Sequence, residues 1–374
     1  MINPAPDPAP ELKNKQSELT ASGLITSGQN TSVLAEGFKV VTGGVTAPQG
    51  FLAAAVSAQI RYPDRRDLAI LYSEVPAAAA ALYTQNKVQA APIEVTREHL
   101  RGGRAQAVVI NSGIANAGTG RPGLADARRT AELVAEALKL KTEDVAVAST
   151  GVIGMRLPMV RVAAGISQAA ANLQPGAGNE AAQAIMTTDT RPKEIAVKVD
   201  LDGRFITIGG MAKGSGMIHP NMATMLAFLT TDAEVDPAFL HQALTEATRL
   251  SFNMITVDGD TSTNDMVIIL ANGQAQNLRI SGAGRDAIAF QQALNAVTQY
   301  LAKEIARDGE GATRLIEVRI EGAASFSDAQ KAGRAIAGSS LVKSAVYGQD
   351  ANWGRILAAA GYSGAEFDPE QTAI

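Results

Sequence analysis

The chain has 374 residues, a formal net charge of −4, and 46% apolar against 19% charged residues; this excludes general disorder and leaves room for about two domains. It contains no Cys and only three His, at His99, His219 and His241; the first excludes thiol nucleophiles, disulfides and thiolate metal sites, and with no two His close in sequence a His-rich zinc site is not expected. No run of Lys or Arg could follow a phosphate backbone, and no apolar stretch approaches the roughly 20 residues that cross a bilayer, so neither nucleic acid nor a membrane is an expected partner.

Residues 1–36 are rich in Pro, Ser, Thr and Asn without periodicity and read as a flexible leader. The opening MINPAPDPAPELKNKQ has neither the basic start nor the apolar core of a secretory signal, so the cytoplasm is the expected location. Asp67 to Glu74 and Gln106 to Asn111 read as buried strands. Ala125 to Leu140 carries apolar residues at helical spacing, Val145 to Thr150 is a further strand, and a helix follows near Val160 to Leu173. Glu194 to Gly210 alternates on both sides of an Asp-Gly pair and predicts a β-hairpin. A Gly/Pro loop, AKGSGMIHPNMA, leads into a strand over Thr224 to Ala233. Asp236-Pro237 starts a helix to about Leu250. A long helix is expected over Asp286 to Ala306 and a last one over Ala329 to Val346. Strands and helices mix throughout, so the fold class is α/β or α+β.

Three apparent signatures fail on their chemistry. GTGRPG (Gly118 to Gly123) has dinucleotide-loop spacing, but the preceding strand ends at Asn111, well before the glycines that should close it. GMAKGS places Lys213 before Gly214 where a phosphate-binding loop needs the lysine after it. DGDTSTND (Asp258 to Asp265) lacks the turn glycine of a calcium loop and has Ile269 where a bidentate Glu belongs. All three read as turns.

The segment from Lys213 to Asp232, KGSGMIHPNMATMLAFLTTD, has a different content. For an arbitrary protein a glycine loop before a buried strand is the plainer reading. Here the small Ala223 precedes a hydroxyl residue, Thr224, at a loop-to-strand junction where backbone strain can be held. Gly214 and Gly216 let the chain bring a hydroxyl against its own carbonyl. Attack by the Thr224 hydroxyl on the Ala223 carbonyl would turn the amide into an ester that water cleaves, leaving a chain that begins with Thr224. A terminal α-amine has a reference pKa of roughly 7.7–8.0, so such a threonine carries its own base.

On this segment the sequence resembles the ornithine acetyltransferase family, the ArgJ-type enzymes of the arginine pathway. The resemblance runs in order through GGVTAPQGF, LYTQNKVQAAP, NSGIANAGTG, STGVIG, IMTTDTRPK, GGMAKGSGMIHPNMATMLAFLTTDA, DGDTSTND, DGEGAT and GQDANWGRI. It implies a layered α/β fold that cleaves itself before Thr224 into an α chain (37–223) and a β chain (224–374), two of each forming a heterotetramer. It also implies acetyl transfer from N-acetylornithine to glutamate through an acetylated Thr224. No cofactor is implied; acetyl-CoA is a second donor in some members, with His219 the only and weak pointer to it here.

By the same resemblance Thr150 and Gly151 form the oxyanion hole, and Thr187, Lys213, Thr224 and Glu310 contact substrate. The charges suit an amino-acid substrate: a lysine pairs with an α-carboxylate, and a carboxylate receives an amine. Without the resemblance, Thr150 and Gly151 are equally well a strand-ending turn, Lys213 a solvated loop lysine and Glu310 a solvated helix end. Family members continue for some tens of residues beyond the position of Ile374 and draw an Asn and a terminal Ser or Thr from them, so the carried-over site is expected to be short of those contacts. The competing reading is a self-processing aminopeptidase of the DmpA type, which shares the processing logic but normally uses Ser; a non-enzymatic reading is an uncleaved, inactive precursor.

Overall fold

The computed structural model describes residues 38–219 and 225–374. The predicted leader and the predicted cleavage pair, Ala223 and Thr224, lie outside the described residues.

The chain opens with strands β1 (Phe38–Val41), β2 (Phe51–Val56) and β3 (Leu68–Tyr83), then helix α1 (Ala91–His99), strand β4 (Arg104–Asn111), helix α2 (Gly120–Leu138), strand β5 (Val145–Ser149) and helices α3 (Met159–Ala171) and α4 (Gly178–Ala184). Strands β6 (Lys193–Leu201), β7 (Arg204–Lys213) and β8 (Leu226–Thr231) follow, then α5 (Pro237–Arg249), β9 (Met266–Ala271), α6 (Gly284–Arg307), α7 (Phe326–Gly338), α8 (Ser340–Tyr347) and α9 (Trp353–Gly361). Among the described residues nine strands form one sheet in the order β1-β6-β7-β8-β9-β3-β4-β5, with β2 on β3. The β4–β5 and β8–β9 pairs are parallel and the others antiparallel.

The mixed α/β class expected from the sequence is therefore the observed one. The predicted hairpin forms between β6 and β7 with Leu201 opposite Arg204. Its two central residues, Asp202 (φ 50°) and Gly203 (φ 90°), both take positive φ, as the tight turn that suits twisted strands requires. The Asp236-Pro237 start is equally local: the Asp236 carboxylate accepts from the N–H of Ala238 at 2.9 Å, satisfying a donor that the first turn leaves free.

Three expectations need correction. The strand predicted over Asp67 to Glu74 runs on to Tyr83, because the Ala-rich stretch after Pro76 pairs with β9. Pro76 lacks an N–H and stands where the β3–β4 register shifts between Tyr72 and Ala77, so a bulge absorbs it. The helix predicted over Ala329 to Val346 is broken at Ser339, which takes an extended conformation and caps α8 by accepting the Val342 N–H at 3.3 Å. GTGRPG and GMAKGS are not simply turns, since Gly120 opens α2 and Met211 to Lys213 belong to β7. The strands β1, β2 and β9 and the helices α1, α4 and α9 had no prediction.

β3 also explains the layering. Its first half pairs with β2 and β4 and its second half with β9, so it carries the sheet from one half into the other. Ala227 and Leu229 of β8 and Val267 and Ile269 of β9 pack against Leu244 of α5 and Leu294 and Val297 of α6. The alternate residues, Leu226, Phe228, Met266 and Ile268, share a core with Val108 and Ile110 of β4 and Ala146 and Ala148 of β5. Val109 and Val147, pointing the other way, meet Val134 of α2 and Ile166 of α3. The period-2 alternation of each strand thus builds four layers: helices, sheet, sheet, helices. Small residues in the helices and strands let these layers approach closely. Among the described residues no helix is long and apolar enough to cross a membrane.

Phe228 is fully buried in the middle layer. Phe228→Ala should lower the unfolding free energy by about 3–5 kcal/mol through lost transfer energy and a cavity, measured as a shifted denaturation midpoint with an unchanged slope.

Candidate active site

A cleft of about 370 Å³ opens at one end of the two sheet halves. One wall is the C-terminal end of β4 and β5, with Gly113, Thr150 and Gly151; the other is the end of β7 and the start of β8 and β9, with Lys213, Leu226 and Asp265. Thr187 and Glu310 also line it. The five described residues named from the sequence, Thr150, Gly151, Thr187, Lys213 and Glu310, are therefore brought together although they lie up to 160 positions apart in the chain (310 − 150). Thr224 and Ala223 lie outside the described residues; Met225, the next residue in sequence, lines the cleft. His219 bonds Thr256 through Nδ1 at 2.9 Å and is not among the lining residues.

The turn after β5 is held by backbone pairing. Thr150 N–H donates to Asn111 O at 3.0 Å and Val152 N–H to Gly113 O at 3.1 Å. Gly151 sits at φ +131°, and a Cβ there would stand 2.2 Å from the Gly113 carbonyl carbon. Conformation and space both demand glycine at this point. Asn264 clips the same region from the other sheet half, donating to Ser149 O at 2.8 Å and to Ala115 O at 2.6 Å.

Lys213 is buried, and its ammonium donates to Thr150 Oγ1 at 3.2 Å. Since that oxygen is occupied as an acceptor, the hydroxyl proton of Thr150 is left to point elsewhere. Burial pushes the Lys213 amine below its ordinary pKa, and Lys193 adds to this, while Asp189, Asp265 and Glu310 oppose it.

Behind the cleft lies a buried ion network that sequence reasoning missed. Lys193 is 2% exposed and bonds Asp189 Oδ1 at 2.7 Å and Asp308 Oδ2 at 2.6 Å. Asp189 also accepts the Gly214 N–H at 2.7 Å and the Thr187 N–H at 3.0 Å. Asp308 accepts from Thr190 through both its N–H and its hydroxyl. Its carbonyl takes the Ser215 hydroxyl at 2.6 Å, and Ser215 O takes the Glu310 N–H at 2.9 Å. Burial alone would push both carboxyls up. The charges of Lys213 and Lys193 nevertheless hold Asp189 below the ordinary range, and Lys193 and Thr190 do so for Asp308. Gly216 packs on Glu310, where a Cβ would meet Oε1 at 2.4 Å, so that glycine makes room for a carboxylate. Asp189 and Lys193 both lie in the quoted stretch MTTDTRPK, but nothing in their local pattern marks them as buried.

Chemically, a buried cation, a hydroxyl set by it and a glycine turn against several carboxylates can bind a zwitterion and stabilise a developing oxyanion. Fold and cleft together define a layered α/β protein with an enzyme-type pocket. The ArgJ family model matches residues 52–374. The chain is 62% identical over 331 residues to the arginine biosynthesis bifunctional protein ArgJ of Symbiobacterium thermophilum, covering 88% of this chain and 82% of that one. It is 55% identical over 328 residues to the protein of the same name in Dehalococcoides mccartyi, covering 87% and 80%. Among solved structures it is similar to the ornithine acetyltransferase of Mycobacterium tuberculosis complexed with ornithine, at 44% identity and a TM-score of 0.47 over 50% of this chain and 100% of that one. The chain belongs to the ArgJ family.

Lys193→Met would leave two buried carboxylates unpaired. At pH 7 this should cost about 3–5 kcal/mol. Carboxyls held below their ordinary pKa contribute stability that is present above the unfolded value of 3.8 and lost as pH falls through the folded values. The gap between wild type and variant should therefore close below about pH 4, read from urea midpoints across pH.

Proposed function

We propose that this chain is a glutamate N-acetyltransferase of arginine biosynthesis, moving the acetyl group of N2-acetylornithine to glutamate by a ping-pong route. The reading is supported by family membership and by one feature of the cleft above all: Lys213 bonded to Thr150 Oγ1, in the same cleft as Gly151 and paired with Leu226 at the start of β8. The chain first cleaves itself between Ala223 and Thr224. Thr224 Oγ then attacks the acetyl carbonyl, and its α-amine takes the hydroxyl proton. The Thr150 hydroxyl and the Gly151 N–H receive the oxyanion, a contact whose loss typically costs about 10²–10³ in rate. Ornithine leaves, glutamate enters, and its amine takes the acetyl group.

In this reading Lys213 pairs with the α-carboxylate, while Thr187 and Glu310 complete the substrate contacts. No resident cofactor is needed, and acetyl-CoA is the second donor to assay. The products of cleavage, residues 1–223 and 224–374, assemble as two copies of each in the cytoplasm.

Intact mass spectrometry of the purified protein should give two chains that divide before Thr224, and the same preparation should form N-acetylglutamate from N2-acetylornithine. Thr224→Ala should remain one chain with transfer at background. Cleavage persisting in that variant would rule out the proposed nucleophile.

A further inference from the structure

Asp265 has no role in the scheme above, yet it is among the most enclosed groups of the cleft. It stands immediately before β9, level with Met225 across the parallel β8–β9 pair, where the Met266 N–H donates to Met225 O at 3.0 Å. The residue is 2% exposed and lines the cleft together with Lys213, Thr150 and Glu310. Its Oδ2 has no hydrogen-bond partner among the described residues. A buried carboxyl oxygen left without a partner carries a desolvation cost that the fold does not recover by itself.

The charges around it point the same way. Lys193 is bonded to both Asp189 and Asp308, and Lys213 lies in the fields of Asp189, Asp265 and Glu310. Arg61 and Lys213 line the cleft with Asp265 and Glu310, but Lys213 is shared among three carboxyls and, among the described residues, no cation is bonded to Asp265 Oδ2. A proton or a ligand ammonium would partner that oxygen. Burial already pushes the Asp265 carboxyl well above the ordinary range, against the pull of Ser262, Lys213 and the Met225 N–H. A carboxyl whose neutral form is favoured in this way is a better proton acceptor than an ordinary aspartate.

We propose that Asp265 is the amine-receiving residue of the cleft, its Oδ2 accepting an N–H of the reacting amino group and taking the proton that the incoming ammonium must shed. This rests on the acyl-transfer reading. The step balances: R–NH₃⁺ and the carboxylate give R–NH₂ and the carboxylic acid. The freed nitrogen lone pair then attacks the acyl ester and the C–O bond breaks. One of the two N–H protons goes to the departing alkoxide to give the free hydroxyl, and the other stays on the new amide. In the reverse direction the acid returns its proton to the leaving amine.

The test uses p-nitrophenyl acetate as donor, because p-nitrophenolate leaves without a proton, and two acceptors. Glutamate enters as an ammonium, whereas hydroxylamine is largely neutral at pH 7 and has no such proton to shed. In Asp265→Asn the p-nitrophenolate burst should persist, transfer to glutamate should fall by about 10²–10³, and transfer to hydroxylamine should fall far less. Equal losses with the two acceptors, or none with either, would overturn the proposal. A wild-type chain without a burst would overturn the acyl-transfer reading and this one with it.

A second variant guards against misfolding of the first. Ser262 favours the charged form of the carboxyl, so in Ser262→Ala the rising limb of the glutamate-transfer pH profile should move to higher pH. An unmoved limb would count against Asp265 as the group that titrates.

Discussion

The ammonium of Lys193 sits inside the protein with one aspartate on each side. A charge in that position is tolerated only because Asp189 and Asp308 are both within 2.7 Å. The two aspartates spend their remaining lone pairs on the backbone of other segments: Asp189 on Thr187 and Gly214, Asp308 on Thr190. One buried cation thereby fixes the loop before β6, the turn after β7 and the segment after α6 relative to one another. These segments carry Thr187 and Glu310, and the turn begins directly after Lys213 at the end of β7. The Ser215 hydroxyl on Asp308 O and the Glu310 N–H on Ser215 O add to that convergence, while the apolar core beneath constrains strands and helices rather than loops.

The second constraint is the meeting of the two sheet halves. β3 is long enough to belong to both, and the bulge at Pro76 lets it change partners without leaving an unsatisfied N–H. The cleft forms where strand ends from the two halves face each other, so no single supersecondary unit contains it. Asn264 ties the start of β9 to the end of β5 across that junction. At the same place Gly151 lies against the carbonyl of Gly113 at a distance that no side chain would allow. The pocket is thus built from backbone proximity and buried charge, which keep donors in place better than flexible surface side chains do.

Much of the local structure was legible in the chain. The Asp236-Pro237 start of α5 and the alternation around Asp202-Gly203 gave elements close to the observed ones, because helix caps and two-residue turns are settled by neighbouring backbone groups. Thr150, Gly151, Thr187, Lys213 and Glu310 were named through their motifs, and the fold brings all five into one cleft. The break at Ser339 was missed because an apolar pattern continues across it and only the cap geometry ends the helix. β9, the run Met266–Ala271, was missed because a short, fully buried strand has no alternation to detect.

What the sequence determined by itself was therefore the residue chemistry and the local geometry: no thiol, few imidazoles, a hydroxyl after a small residue, and the hairpin and helix starts. The tertiary structure alone decided which charges are buried and which of them meet. Lys193 and Asp308 are 115 positions apart, and Asp265 becomes a cleft group only where β9 runs beside β8. Burial changes the energy of a charge by far more than its neighbours in sequence do. That energy depends on distances across layers, and no local pattern in the chain encodes those distances.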